Sequence, residues 1–227
     1  MGFHLEICAL FVKPLVLNRL HSDNFLLLPF FSTLKAARRS GSLGPLNTIP
    51  FVMVLGNCGA WIAYGLVVAN PYVFWANAPG FLCGLFMFSS SVMLCATQKD
   101  RNVLEGLALG FGAILLATAY TTSMVLTTQS ARANLCVAVA NAFTFAFYAS
   151  PLSSMGTVFK AKNSASLSLP LLGMSLTNSA LWTSYGLSIA DKGLVVPNGA
   201  GVLLSVLQLA VFFAFRQPST SATKASA

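Results

Sequence analysis

The sequence is short of charge. Asp, Glu, Lys and Arg make up 8% of its 227 residues, where a soluble domain carries roughly a quarter. Acid is scarcest, with five Asp and Glu against thirteen Lys and Arg, and there are two His. Catalytic motifs are missing too: no Walker A run, HExxH pair or Gly-x-Ser-x-Gly elbow occurs, so an enzyme reading has no residues to rest on. No cofactor or metal is implied. The five cysteines, Cys8, Cys58, Cys83, Cys95 and Cys136, show no CxxC spacing and read as small buried hydrophobes. No N-x-[ST] sequon marks a glycosylated face.

Apolar residues fill the space that charge leaves. They are 56% of the chain, and the mean hydropathy is +0.75. They fall into blocks of roughly 20 residues, the length that crosses a hydrocarbon core about 30 Å thick. The blocks are 8–31, 49–69, 72–97, 103–126, 133–151, 169–189 and 194–215. The expectation is an all-α integral membrane protein with seven transmembrane helices. The first block is the most polar, since "FVKPLVLNRLHSDN" places Lys13, Arg19, His21 and Asp23 where a spanning helix is apolar. A relay between His21 and Asp23 is weighed against a membrane-surface position, and the surface is preferred.

Basic residues sit between the blocks. Nine of the thirteen (Lys35, Arg38, Arg39, Lys99, Arg101, Lys160, Lys162, Arg216 and Lys224) fall on one face, and Lys13, Arg19, Arg132 and Lys192 on the other. The positive-inside rule then puts the C-terminus in the cytoplasm and the N-terminus outside, with the plasma membrane as the expected location. The same rule accounts for the net charge of +8 without a nucleic-acid partner. The lipid bilayer is the partner this composition demands; assembly into a homo-oligomer is left open.

The chain repeats itself. "AWIAYGL" at 60–66 returns as "LWTSYGL" at 181–187, and an offset of 121 pairs Asn57 with Asn178, Trp61 with Trp182, Tyr64 with Tyr185, Asn77 with Asn198 and Gly80 with Gly201. Residues 1–97 are therefore read as one triple-helix repeat and 133–215 as a second, joined by a linker helix at 103–126; residues 216–227 are a disordered cytoplasmic tail. Three spans invert a chain, and one more restores its direction, so the two bundles run parallel in a 3+1+3 order. Gly106, Gly110 and Gly112 give the linker a small-residue face expected to pack closely on a neighbour.

The duplicated polar residues are the candidate site. An amide inside a bilayer costs free energy unless it is paired. Asn77 and Asn198 sit beside Pro and Gly in "FWANAPG" and "VVPNGAG", where a loosened helix suits a cavity better than interhelical glue. Trp61 and Trp182 stand near mid-membrane, too deep for the interfacial belt, with Asn57 and Asn178 one turn before them on the same face. Flat indoles stack on the C–H face of a sugar ring, and amides bond its hydroxyls. Two of each around a twofold axis describe a pocket for a neutral polyhydroxylated molecule. Tyr64 and Tyr185 are read as interface anchors, Gly65 and Gly186 as packing residues, and Trp75 as packing or belt. Pro29, Pro50, Pro151 and Pro170 occupy matching places and are expected to kink four helices around one mouth. No ionisable side chain lies well inside blocks two to seven, which favours uncoupled transport.

The segments "YASPLSSMGTVFKAKNSASLSLP", "LTNSALWTSYGL" and "VVPNGAGVLLSVLQLAVFF", with the looser "TIPFVMVLGNCGAWIAYGL" and "YVFWANAPG", resemble the two repeats of the SWEET sugar transporters over residues 29–215. That resemblance implies a bidirectional sugar uniporter of 3+1+3 helices, with Asn77, Asn198, Trp61 and Trp182 lining the sugar site and Asn57 and Asn178 beside it. It further implies that Pro29, Pro50, Pro151 and Pro170 form the hinge set and that Asp191 lies near the outer gate. The sequence departs from the family pattern at "NAPG" and in its polar first block. Two other readings stay open: a related small carrier for another neutral solute such as an amino acid, and a non-transporting membrane receptor or scaffold.

Overall fold

A computed structural model describes residues 34–44 and 46–216. The first apolar block, with Lys13, Arg19, His21, Asp23 and Pro29, lies outside the described residues, as does the tail from 217. Seven helices follow a helical stretch at 34–40: α1 (Ile49–Val67), α2 (Pro71–Leu94), α3 (Gln98–Tyr120), α4 (Gln129–Phe147), α5 (Ala149–Ala161), α6 (Leu169–Ser188) and α7 (Lys192–Ala214). Among the described residues there is no strand.

Five spans are long and apolar enough to cross a membrane: 49–67, 71–94, 98–125, 129–161 and 192–214. The third takes in a π-helical turn, Thr121–Val125, at the end of α3, and the fourth joins α4 to α5. Helix α6 is left out of that set because Ser175, Thr177, Asn178, Ser179, Thr183 and Ser184 dilute its apolar residues.

The fourth span exceeds its expected end at 151 by ten residues, which places 152–161 in helix rather than in a loop. It is broken where α4 gives way to α5 at Tyr148. The cause is local: Pro151 has no N–H to return to the Phe147 carbonyl four residues earlier.

Capping sets the other boundaries. Asn70 Oδ1 accepts from the Tyr72 and Val73 amides at the start of α2, and Asp191 Oδ1 accepts from the Leu194 amide at the start of α7. Each follows an alanine in the left-handed region, Ala69 (φ 51°) and Ala190 (φ 55°), which closes the preceding helix. The Asn70 amide reaches the Gly65 carbonyl and the Asp191 amide the Gly186 carbonyl, both at 2.8 Å. Turns 121 residues apart thus share their backbone closure, while Asn70 caps two amides and Asp191 one.

With lipid on the outside, water release contributes little to helix association, and close packing and hydrogen bonds take its place. Helix α1 packs most extensively on α2 and then on α4, and α6 on α7. Hydroxyls inside the spans bond back to their own helices, as Ser90 does to Phe86, Ser91 to Met87 and Thr118 to Ile114.

The linker packs in the opposite sense to that expected. Open space surrounds Gly106, Gly110 and Gly112, whereas a Cβ on Gly56 of α1 would meet Phe111 of α3 at 2.8 Å and one on Gly59 would meet Leu115 at 2.9 Å. The small surface belongs to α1, and α3 supplies the large side chains.

Candidate functional site

Asn77 and Asn198 use their amides identically. Each Nδ2 donates to a carbonyl four residues back on its own helix, Asn77 to Val73 (2.9 Å) and Asn198 to Leu194 (2.8 Å). One amide proton of each is satisfied within the helix, which fixes the side-chain rotamer and leaves the carbonyl oxygen for an outside donor. Pro79 and Pro197 lie inside α2 and α7, next to these asparagines, where each ring removes one helical hydrogen bond. The Pro197 carbonyl accepts from the Tyr148 hydroxyl at 2.8 Å.

Trp61 anchors a chain of bonds between the halves. Its indole N–H donates to Thr144 Oγ1 (3.0 Å), and that oxygen lies 2.9 Å from Asn57 Oδ1 and 3.0 Å from the Ala140 carbonyl. The indole polar group is therefore paired at mid-helix, as a buried Trp requires. Trp61 is 6% exposed and stands edge-on to Tyr64, with ring centroids 5.7 Å apart. Trp182 holds the same pose against Tyr185, also at 5.7 Å.

A cavity of about 280 Å³ lies between the halves, and all six sequence-predicted contact residues line it: Asn57, Trp61, Asn77, Asn178, Trp182 and Asn198. Thr144 and Phe147 of α4, with Tyr148 at the break after it, complete one side. No Asp, Glu, Lys, Arg or His is among these lining residues.

A layer of tyrosines closes one end. Tyr64 donates to Asp191 Oδ2 at 2.7 Å, and Tyr185 donates to Asn70 Oδ1 at 3.1 Å. Each tyrosine of one half thus bonds the helix-capping residue of the other. Beyond them is a second, wider space of about 490 Å³, bounded by Tyr64, Asn70, Asn134, Asp191 and Lys192. Reading the tyrosines as lipid-interface anchors is corrected by these bonds, since Tyr64 is 5% and Tyr185 6% exposed. The signal was present in the sequence: Asn70 and Asp191 are also 121 residues apart, each six positions after its tyrosine. Trp75, by contrast, is 60% exposed.

The prolines do not form one matched set of kinks. Pro50 and Pro170 sit in the first turns of α1 and α6, where no intrahelical bond is lost. Pro151 sits at the α4–α5 break, and Pro29 is outside the described residues. The hydrogen bonds that join the two halves through Trp61, Asn57, Tyr64 and Tyr185 lie at the cavity or in the tyrosine layer.

A family described as "Sugar efflux transporter for intercellular exchange" matches the chain twice, over residues 25–99 and 134–220. The chain belongs to this family, the SWEET transporters. The unmatched stretch between the two matches, 100–133, holds all but the first two residues of α3 and its π-helical turn. Sugar transporter SWEET1 of Drosophila pseudoobscura pseudoobscura is 28% identical over 180 residues, 79% of each chain. Bidirectional sugar transporter SWEET7 of Arabidopsis thaliana is 28% identical over 77% of this chain and 69% of its own. Sugar transporter SWEET1 of Homo sapiens is 26% identical over 82% of this chain and 83% of its own. A solved eukaryotic SWEET transporter shares the fold with a TM-score of 0.78 and 24% identity, covering 90% of this chain and 98% of that one. The family is one of transporters rather than enzymes.

Proposed function

We propose that this protein is a passive, bidirectional uniporter of mono- or disaccharides working by alternating access. The observation that carries the reading is the convergence of four amides and two indoles on one cavity between the halves, with no acid or base among its described lining residues. Sugar hydroxyls would bond to Asn77, Asn198, Asn57 and Asn178, and the ring would lie against Trp61 and Trp182. A neutral solute held by neutral groups needs no coupled ion to balance charge.

The tyrosine layer is the outer gate in this reading, with Asp191 as a gate residue, and the N-terminus outside and the C-terminus in the cytoplasm of a plasma membrane. Each gate bond is worth about 0.5–1.5 kcal/mol between neutral groups and about 1.5–3 kcal/mol where one is charged. Bonds of that size hold the gate shut yet leave the open state within a few kcal/mol, as alternation demands. Pro50 and Pro170 give α1 and α6 pre-set first turns at the cytoplasmic mouth, and Pro151 breaks α4 from α5. With Pro29 they remain the proposed hinge set.

Uptake of radiolabelled glucose and sucrose into a transport-deficient cell tests this. Saturable flux in both directions, independent of a proton gradient, is the expected result. A double variant Asn77→Ala, Asn198→Ala should reach the membrane yet lose most of that flux; normal flux would sink the site assignment. Flux of amino acids in place of sugars, or tight binding of a protein partner with no flux in proteoliposomes, would establish a competing reading.

A further inference from the structure

The cavity is built from a repeat, and the places where the repeat fails are informative. Six lining pairs are related by the offset of 121. Asn57/Asn178, Trp61/Trp182 and Asn77/Asn198 are identical, and Val73/Leu194 is a conservative apolar exchange. Two pairs change chemistry, and both change it in the same direction: Val54 is matched by Ser175, and Cys58 by Ser179. The second half therefore presents two hydroxyls where the first presents a branched hydrocarbon and a thiol.

These hydroxyls are placed for use. Thr177, Thr183 and Ser184 on the same helix donate to carbonyls four residues back. Among the described residues, Ser175 and Ser179 make no such bond. Ser175 is held instead through a 3.2 Å contact with the hydroxyl of buried Ser205 on α7. Ser179, 5% exposed, shares the surface of Gly201 with Tyr148: a Cβ there would lie 2.5 Å from both hydroxyl oxygens. A Cβ on the matching Gly80 would lie 2.8 Å from the Cys58 sulfur. Tyr148 adds its oxygen as an acceptor, since its proton is committed to Pro197.

We infer that the cavity is two-faced and binds a sugar ring in one preferred orientation. A hydroxyl-bearing edge lies on Ser175, Ser179 and Tyr148, and the opposite, less polar edge lies on Val54 and Cys58. The symmetric amides and indoles grip the ring, and the serine wall selects which edge faces α6. A site that hydrogen-bonds a substrate hydroxyl rejects an analogue lacking it far better than an apolar wall distinguishes the two. Ser175 and Ser179 are thus specificity-determining residues. The inference rests on the sugar-transport reading.

The test is competition for radiolabelled glucose uptake by glucose analogues that each lack one hydroxyl. Wild-type protein should rank them unequally, with one ring edge mattering several-fold more than the other. Ser175→Ala with Ser179→Ala should raise the KM for glucose about five-fold or more, the scale of one or two hydrogen bonds. It should also abolish the penalty for the analogue missing the serine-facing hydroxyl. Ser179→Cys keeps nearly the same volume, transplants the first-half residue and should move the ranking the same way at unchanged surface abundance. Val54→Ser with Cys58→Ser should even out the two edges. An unchanged ranking in the serine variants, or equal inhibition by every analogue in wild type, overturns the inference while sugar uptake stands. No sugar uptake by wild type overturns the transport reading itself.

Discussion

The two ends of the tyrosine layer share a geometry and differ in chemistry. Tyr64 meets the carboxylate of Asp191 at 2.7 Å, and Tyr185 meets the carboxamide of Asn70 at 3.1 Å. Both acceptors cap a helix, both follow a left-handed alanine, and both are reached from the opposite half. The shorter bond has the charged acceptor, as charge-assisted hydrogen bonds do. The repeat thus gives a symmetric frame, and the exchange of Asn70 for Asp191 gives its two halves different acceptors. The cavity walls repeat that pattern with Ser175 and Ser179 against Val54 and Cys58.

The largest effect is expected where the two halves pack their turns. A Cβ at Gly65 would sit 2.9 Å from the Phe74 backbone nitrogen, which cannot move without shifting α2. At Gly186 the nearest atom, also at 2.9 Å, is a methyl group of Val195, and the matching backbone nitrogen of Val195 lies farther off, at 3.1 Å. Gly65→Ala should therefore cost about 1–3 kcal/mol or more in overpacking, and Gly186→Ala less. Thermal unfolding in detergent, followed by fluorescence-detected size exclusion, measures the gap; equal losses would mean the turns do not differ in tightness.

Next in size is the gate. Tyr64→Phe removes a bond to a charged acceptor, worth about 1.5–3 kcal/mol, and Tyr185→Phe a neutral one, worth about 0.5–1.5 kcal/mol. The share of molecules open on the Asn70 and Asp191 side should rise roughly ten-fold or more in the first and several-fold in the second. The Cys58 thiol lines the cavity and reports this. In a chain whose other cysteines are replaced, its rate of labelling by an impermeant reagent from that side should follow the same order. Asp191→Asn should bring the Tyr64 variant's effect down to that of Tyr185.

Much of this was legible in the sequence because a repeat turns single residues into pairs. Trp61 alone has many bland explanations, but Trp61 with Trp182, Asn57, Asn77 and their partners points to one place. Residues without a visible partner were missed. Thr144 on α4 and Tyr148 just after it line the cavity, and at the offset of 122 that pairs Pro151 with Pro29 they align with Ser22 and Leu26, neither of which repeats the residue. Ser175 and Ser179 carry no signal of that kind, because identity between the halves is silent where they diverge. The tyrosines were paired correctly yet read by depth alone, and depth does not say which way a ring points. The linker packs otherwise than its glycines suggest, because glycine marks a surface that can be approached, while the approach itself depends on a neighbour far away in sequence.

The smallest effect should be the most symmetric. Ala69 and Ala190 hold φ of 51° and 55° in matching turns, a region where a Cβ crowds the following carbonyl. That strain is about 1 kcal/mol per residue, partly offset because glycine has more unfolded freedom to lose. Ala69→Gly and Ala190→Gly should each stabilise the detergent-solubilised protein by a few tenths of a kcal/mol to about 1 kcal/mol. Unlike the glycine and tyrosine pairs, these two should match one another, since both turns are closed by the same 2.8 Å bond. The two sites touch separate turns, so the double variant should show the sum of the single effects. A gain at one site alone would mean that the turns carry different strain despite equal dihedral angles, and would place the asymmetry of the halves in the backbone as well as in the side chains.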